Sequence, residues 1–320
     1  MGRAQRLCRQ PCRLGPQCPR AAGGAAVPRQ ARRERHGAAR RGGELPVLHR
    51  RQRIRRALHG RPFRHPRLRL HHRAGRRGRG SRRRGAVTVV LLHGIGGPSW
   101  GDLLPDAMHW PMPGFCGTPA LPEMTFAALA DALMDSLDVN IVRQAVLVGH
   151  SMGGMLAQEV YARFPHRVSK MVLYATTPAF GGRDPAFAEA FLKARLGPLE
   201  GGRTMAEAAP EMLAGMFEPG ADPDAMPRAI AATAAVPAEV YRDTLRCLTT
   251  FDRRADLPNI AVPTLLIAGE RDQAAPLKTM QRMAETIPGS RLVVIPGAGH
   301  MVHLERPAEF RAALLPFLAE

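Results

Sequence analysis

Three residues of this chain have the types and surroundings that nucleophilic chemistry needs: Ser151, Asp272 and His300. Ser151 sits in Val146-Leu147-Val148-Gly149-His150-Ser151-Met152-Gly153-Gly154. The apolar run 145–148 is too short for a helix and reads as a buried strand. After the serine, Met155, Leu156, Val160 and Phe164 recur at helical spacing, and Pro165 ends the segment. The serine is thus expected at the tip of a tight strand-to-helix turn. Gly149 and Gly153, two residues to either side, permit the close backbone passage that such a turn requires. A hydroxyl in that position is pushed clear of the sheet, and the amides at the start of the helix, Met152 first, face any negative charge developing beside it. A serine hydroxyl is a weak nucleophile and needs a base. Residues 263–269 and 292–295 are further apolar runs, leading into Glu270-Arg271-Asp272 and Pro296-Gly297-Ala298-Gly299-His300. An aspartate and a histidine at two strand ends can act as orienter and general base.

A second donor for the developing charge is expected from the loop His93-Gly94-Ile95-Gly96-Gly97, through the backbone amide of Ile95. That loop follows a continuous apolar run at 87–92, the pattern of a strand buried on both faces. Ligands of open α/β sheets collect at such strand ends. The loop lacks the Lys-Ser/Thr ending of a phosphate-binding P-loop. Of the other histidines, His93 reads as structural, and His150 is expected to turn its side chain away from the nucleophile. His303 is the rival base and Glu270 the rival to Asp272, although Glu270 stands nearer its strand and is expected to point elsewhere.

Strands must therefore carry these loops to one edge of a sheet. Residues 98–122 are rich in Pro and Gly and contain Trp100 and Trp110, and Pro111-Met112-Pro113-Gly114-Phe115 within them reads as a turn-rich loop. A helix is expected at 125–137, a strand at 171–175 and a closing amphipathic helix at about 307–318. Between about 178 and 251 no strong strand pattern occurs. Helical stretches at 185–195, 204–217, 227–235 and 238–248 read instead as a cap over the strand ends. The fold class that follows is α/β, a mostly parallel, doubly wound sheet with a helical cap insertion.

Charge divides the chain sharply. Residues 1–84 hold 27 Arg, no Lys and two acids, Glu34 and Glu44, a net of +25, while residues 85–320 carry −6. The first segment has no helical or strand periodicity and too little apolar surface to fold. Its charge favours non-specific nucleic-acid binding, but Phe63 is its one aromatic residue. An organelle-targeting segment should be Ser-rich, and only Ser81 is present. The favoured reading is a disordered product of a GC-rich gene read from a wrong start or in a wrong frame. Cys8, Cys12, Cys18 and His36 have poor spacing for a metal, and the five cysteines form no disulfide framework. No membrane-spanning run or signal peptide is expected, which reads as a reduced, cytoplasmic protein. The sequence carries no signal for oligomeric state.

The order Ser151, Asp272, His300, together with the His93–Gly97 loop motif, Gly149-x-Ser151-x-Gly153, Gly269-x-x-Asp272 and Gly299-His300, resembles the α/β-hydrolase superfamily over residues 86–320. Gly-His-Ser-Met-Gly-Gly-Met, Thr176-Thr177-Pro178 and Phe251-Asp252 are similar to the capped members that include 3-oxoadipate enol-lactonases. The resemblance implies a hydrolase of a small ester or lactone acting through an acyl-enzyme, with no metal or organic cofactor. A C–C bond hydrolase of ring-cleavage products is the alternative, although those relatives commonly have Trp where Met301 stands. Ser151 argues against the epoxide hydrolases and dehalogenases, which use Asp. A nucleic-acid-binding protein with a basic arm is the alternative of a different class. The family usually opens with two antiparallel strands, for which residues 1–84 offer no pair. The stretch from His93 to Pro113-Gly114 is shorter than usual, so a helix and the strand after it are expected to be trimmed, and Pro111 stands where Asp is usual.

Overall fold

The computed structural model describes residues 88–101, 103–181 and 185–320; the expectations for residues 1–84 lie outside the described residues. Among the described residues six strands form one sheet: β1 (Thr88–Leu92), β2 (Met108–Trp110), β3 (Ala145–His150), β4 (Val168–Tyr174), β5 (Thr264–Gly269) and β6 (Arg291–Ile295). Their order is β2-β1-β3-β4-β5-β6, and every pairing is parallel. Leu92 lies opposite Gly149 and Gly149 opposite Leu173, while Gly269 lies opposite Ile295. This register brings the loops after β1, β3, β5 and β6 out along one edge. Strand order reverses between β1 and β3, which opens a crevice at the point where the His93 loop meets Ser151.

The central strands are apolar throughout because both faces are covered. Leu92, Leu147, Leu173 and Leu266 join one core with α1 (Phe126–Val139), α2 (Met152–Arg163) and α7 (Leu277–Thr286). Leu91, Val146, Val148, Val172 and Ile267 alternate into a second core, with Trp100, Leu103 and the Phe310, Leu314 and Phe317 stripe of α9 (Pro307–Ala319). Thr125 starts α1 by accepting from the Ala128 amide at 3.1 Å, and Phe126, Leu129, Leu133 and Leu137 bury one face of that helix.

One expectation is corrected. The strand expected to be trimmed between His93 and Pro113-Gly114 is present as the three-residue β2, just ahead of the turns that follow Pro111, with Leu91 opposite His109. It escapes sequence reading because three residues show no alternation, and Pro and Gly follow it at once. The helix α7 was not anticipated either, although Leu277, Met280 and Met283 carry the spacing. A short α8 (Val302–Glu305) holds His303 ahead of the last helix.

Between β4 and β5 lie four helices: α3 (Pro185–Glu200), α4 (Met205–Leu213), α5 (Ala225–Ala234) and α6 (Ala238–Leu248). The insertion is stitched shut at its neck. The Phe180 amide donates to the Phe251 carbonyl at 2.8 Å, and the Arg253 amide to the Pro178 carbonyl at 2.7 Å. Arg253 also reaches the buried Glu159 carboxylate of α2 at 2.7 Å, which ties the neck to the sheet layer.

The turn at Ser151 depends on contacts that only glycine allows. A Cβ on Gly153 would lie 2.0 Å from the Leu92 carbonyl oxygen, and one on Gly149 would lie 2.4 Å from the Gly153 oxygen. Both obstacles are backbone, so neither can step aside. Gly153→Ala is therefore expected to cost about 3 kcal/mol or more and to leave little folded protein. Gly197→Ala, in α3 with open space around it, should leave the thermal midpoint unchanged or raised. Equal midpoints for the two variants would contradict this packing.

Three buried histidines stand behind the turn. His93 accepts from the Met112 amide at Nε2 (3.0 Å) and donates from Nδ1 to the Gly94 carbonyl (2.7 Å), so it is the neutral tie between β1 and the end of β2. Burial pushes its pKa down to about 4. His303 packs against His150 at 4.8 Å and Tyr174 at 5.5 Å between ring centroids. Burial, with the His300 and Arg228 charges, takes its pKa down to about 3. Burial likewise holds His150 well below its ordinary value. Unfolded imidazoles take up protons near pH 6.5 while these remain neutral, so their stabilisation is complete above that pH and drains away as pH falls toward the folded values. At pH 5 the loss is about 2 kcal/mol for each of His93 and His303. The stability difference between pH 7.5 and pH 5, measured by urea unfolding, should shrink by about that amount in His303→Gln. An unchanged difference would show that His303 is not held neutral.

Candidate active site

Ser151 follows β3 and caps α2 with φ 51° and ψ −117°, a backbone conformation that non-glycine residues seldom adopt. Its neighbours hold it there. Its amide donates to the Tyr174 carbonyl at 3.0 Å, and its own carbonyl accepts from the Thr176 hydroxyl at 2.7 Å and the Gly154 amide at 2.9 Å. Thr176, the residue after Ala175 at the exit of β4, thus braces the turn from the neighbouring strand.

Asp272 follows β5. Its carboxylate is buried, and Oδ1 accepts from the Ala274 and Ala275 amides, both at 2.8 Å, in a turn that leads into α7. The loops after β5 and β6 run close together because Gly269 has no side chain; a Cβ there would lie 2.2 Å from the Gly299 oxygen. The Arg271 amide donates to the Ala298 carbonyl at 2.9 Å across that contact.

His300 completes the group. Its Nε2 lies 3.0 Å from Ser151 Oγ, and its Nδ1 lies 2.9 Å from Asp272 Oδ2 and 3.1 Å from Oδ1. The network assigns the proton to Nδ1, since the carboxylate can only accept, and leaves Nε2 to accept from the serine hydroxyl. Residues far apart in sequence are thus brought into hydrogen-bond contact at one strand edge.

The rival residues lie elsewhere. His303 Nε2 bonds the Ser99 hydroxyl at 3.0 Å, and its Nδ1 has no partner among the described residues. His150 turns its ring onto Tyr174, with centroids 4.9 Å apart, and donates from Nε2 to the His300 carbonyl at 3.1 Å. The exposed Glu270 accepts from the Gly297 amide at 2.9 Å. Ile95 occupies the centre of a turn closed by the Gly97 amide on the Gly94 carbonyl at 3.1 Å, which leaves its own N–H outside that bond. A Cβ on Gly94 would stand 3.3 Å from Ser151 Cβ, so the turn lies directly against the serine. Met152 is the first residue of α2, and its N–H has no acceptor within the helix.

One residue escapes sequence reading altogether. Glu305 is buried, and its carboxylate accepts from the amides of Gly299 (3.0 Å) and Met301 (3.0 Å), on either side of His300, and of Glu218 (2.8 Å) in the insertion. Burial pushes its carboxyl pKa up, and these amide bonds pull it back. The His300 amide in turn donates to Met216 of the insertion at 3.1 Å. Nothing in the sequence pattern marks a lone glutamate for this task; only its burial shows it.

A cavity of about 780 Å³ opens over Ser151 and His300. Ile95 and the insertion residues Phe180, Phe191, Met212 and Tyr241 are among its lining, which is mainly apolar. Among the described residues no cluster of His, Cys, Asp and Glu is arranged to hold a metal ion, and no helix is long and apolar enough to cross a membrane.

Comparison with known proteins agrees with this architecture. A model of the alpha/beta hydrolase family matches residues 89–313. A pimeloyl-[acyl-carrier protein] methyl ester esterase of Chromobacterium violaceum is 30% identical over 227 residues, 65% of this chain and 81% of that protein. A hydrolase from Pseudomonas aeruginosa superposes with a TM-score of 0.65 at 28% identity, covering 73% of this chain and 90% of the other. The enol-lactonase from Burkholderia xenovorans gives 0.63 at 26% identity, covering 75% and 94%. The family match spans most of the chain and coincides with the parallel sheet described above, so this protein belongs to the alpha/beta hydrolase family of enzymes.

Proposed function

We propose that the protein is a serine hydrolase that cleaves a carboxylic ester or lactone through an acyl-enzyme formed on Ser151. The observation that carries this reading is the hydrogen-bonded series from Ser151 Oγ to His300 Nε2 (3.0 Å) and from His300 Nδ1 to Asp272 (2.9 Å), opening on an apolar cavity. In this reading His300 takes the hydroxyl proton as Ser151 Oγ attacks the carbonyl carbon. Asp272, fixed by the two alanine amides, holds the imidazole in its tautomer and stabilises the imidazolium. The oxyanion is received by the amides of Ile95 and Met152, each such donor being worth about 10²–10³ in rate. His300 then gives its proton to the departing alkoxide or enolate, which leaves as the C–O bond breaks. In the second half a water loses a proton to His300 as it attacks the acyl carbon, and His300 returns that proton to Ser151 Oγ as the acyl C–O bond breaks, releasing the acid.

Relatives named as a methyl ester esterase and an enol-lactonase support an ester or lactone as the bond broken. The proposed organisation is a hydrolase domain over residues 85–320, with residues of about 178–251 as a cap that shapes the pocket and limits water.

Purified protein and its variants should be assayed on aryl esters and enol-lactones. Ser151→Ala and His300→Ala are each expected to lose at least about 10⁴-fold in kcat with the fold retained, and Asp272→Asn nearly as much. His303→Ala should cost far less than His300→Ala. Undiminished turnover by folded Ser151→Ala, or the reverse ranking of the two histidines, would overturn the assignment.

A further inference from the structure

The cavity over Ser151 has a charge asymmetry that hydrolysis alone does not explain. Among the described residues its lining includes three arginines, Arg195, Arg254 and Arg282, and no Asp or Glu. This stands against the net −6 of residues 85–320, where acids outnumber basic residues. Two of the arginines have ordinary surroundings. Arg254 is exposed and forms an ion pair with Asp252, and Arg282 is exposed on α7.

Arg195 differs from both. It is half-buried on α3, in the insertion, and no carboxylate lies within 4.0 Å of it among the described residues. Its guanidinium is held in place by neutral groups instead. Nη1 donates to the Met212 carbonyl at 2.6 Å, and the group lies over the Phe191 ring at 5.7 Å. Phe191 and Met212 line the same cavity, as does Tyr241, whose hydroxyl feels the Arg195 charge. Guanidinium remains charged at any physiological pH, and a partly desolvated cation is costly unless an anion meets it. A fixed cation with donors to spare and no carboxylate partner among the described residues, on the wall of an apolar chamber, is a receptor for a carboxylate.

We infer that Arg195 binds a free carboxylate on the substrate, so that the enzyme acts on small esters or lactones carrying a second, ionised carboxyl group rather than on neutral ones. This rests on the reading of Ser151 as the nucleophile of the same cavity, and it narrows the substrate class. The apolar lining between the two groups takes the connecting carbon chain, and the exposed arginines at positions 254 and 282 add attraction for an anion on its approach.

The test pairs monomethyl with dimethyl esters of straight-chain diacids from glutarate to suberate. Wild type should show a kcat/KM preference of about tenfold or more for the monoester at its best chain length, expressed mainly in KM and weakened by salt. Arg195→Met should remove that preference, and Arg195→Lys should restore part of it. Loss of activity on both esters in equal proportion, or no preference in wild type, would overturn the inference. Binding separates this from the catalytic reading. Calorimetry of the free diacids with Ser151→Ala should show affinity that falls at least about tenfold when Arg195→Met is added. Failure to hydrolyse either ester with that binding intact would count against the nucleophile, whereas equal binding by the single and double variants would count against Arg195.

Discussion

The whole site hangs on the approach of α2 to the end of β1, where Gly153 passes so near Leu92 that no side chain could intervene. That contact forces the chain to reverse at Ser151 and holds a serine in a left-handed conformation worth roughly 1–3 kcal/mol of strain. The strain persists because the Tyr174 carbonyl, the Thr176 hydroxyl and the first turn of α2 all fix the same residue. The serine hydroxyl leaves the sheet at the one edge where parallel strands also deliver Asp272 and His300. Parallel register therefore holds the site together: a shift between β4, β5 and β6 would separate Ser151, Asp272 and His300 even if every loop kept its shape.

The helical insertion is joined to that edge more closely than its position in the sequence implies. Its own carbonyl, at Met216, receives the His300 amide, and Glu305 gathers amides from both sides of His300 and from Glu218 of the insertion. A buried carboxylate bonded three times over is costly to desolvate but strongly directional once satisfied. The His300 loop and the wall of the cavity are thus held by one carboxylate. Neutral, buried His93, His150 and His303 fill the space behind, and their low basicity keeps competing charge away from the imidazole that faces Ser151.

Much of this was legible in the sequence because the central strands are buried on both faces and read as continuous apolar runs ending in glycine. Residues 145–148 and 263–269 declare themselves in that way, and the spacing of Phe126, Leu129, Leu133 and Leu137 declares α1. The features that escaped are those without a period. β2 has three residues, pairs with β1 alone among the described residues and lies among Pro and Gly. α7 has the spacing but stands between the Asp272 and His300 loops, with Pro276 just ahead of it. Glu305 and Arg195 are single charged residues whose meaning depends on burial and on partners distant in sequence. Thr176 belongs to the Thr176-Thr177-Pro178 motif, yet its bond to the Ser151 carbonyl is visible only in three dimensions.

The central claim is that Ser151 forms a covalent acyl intermediate with His300 as its base. Intact-protein mass spectrometry after treatment with a fluorophosphonate tests it most directly, because the reagent needs an activated serine and no knowledge of the natural substrate. The account predicts a single adduct, located by peptide mapping on Ser151, formed at least about 10³-fold more slowly in His300→Ala. A stable adduct on another residue, or labelling of Ser151 at an undiminished rate without His300, would contradict it.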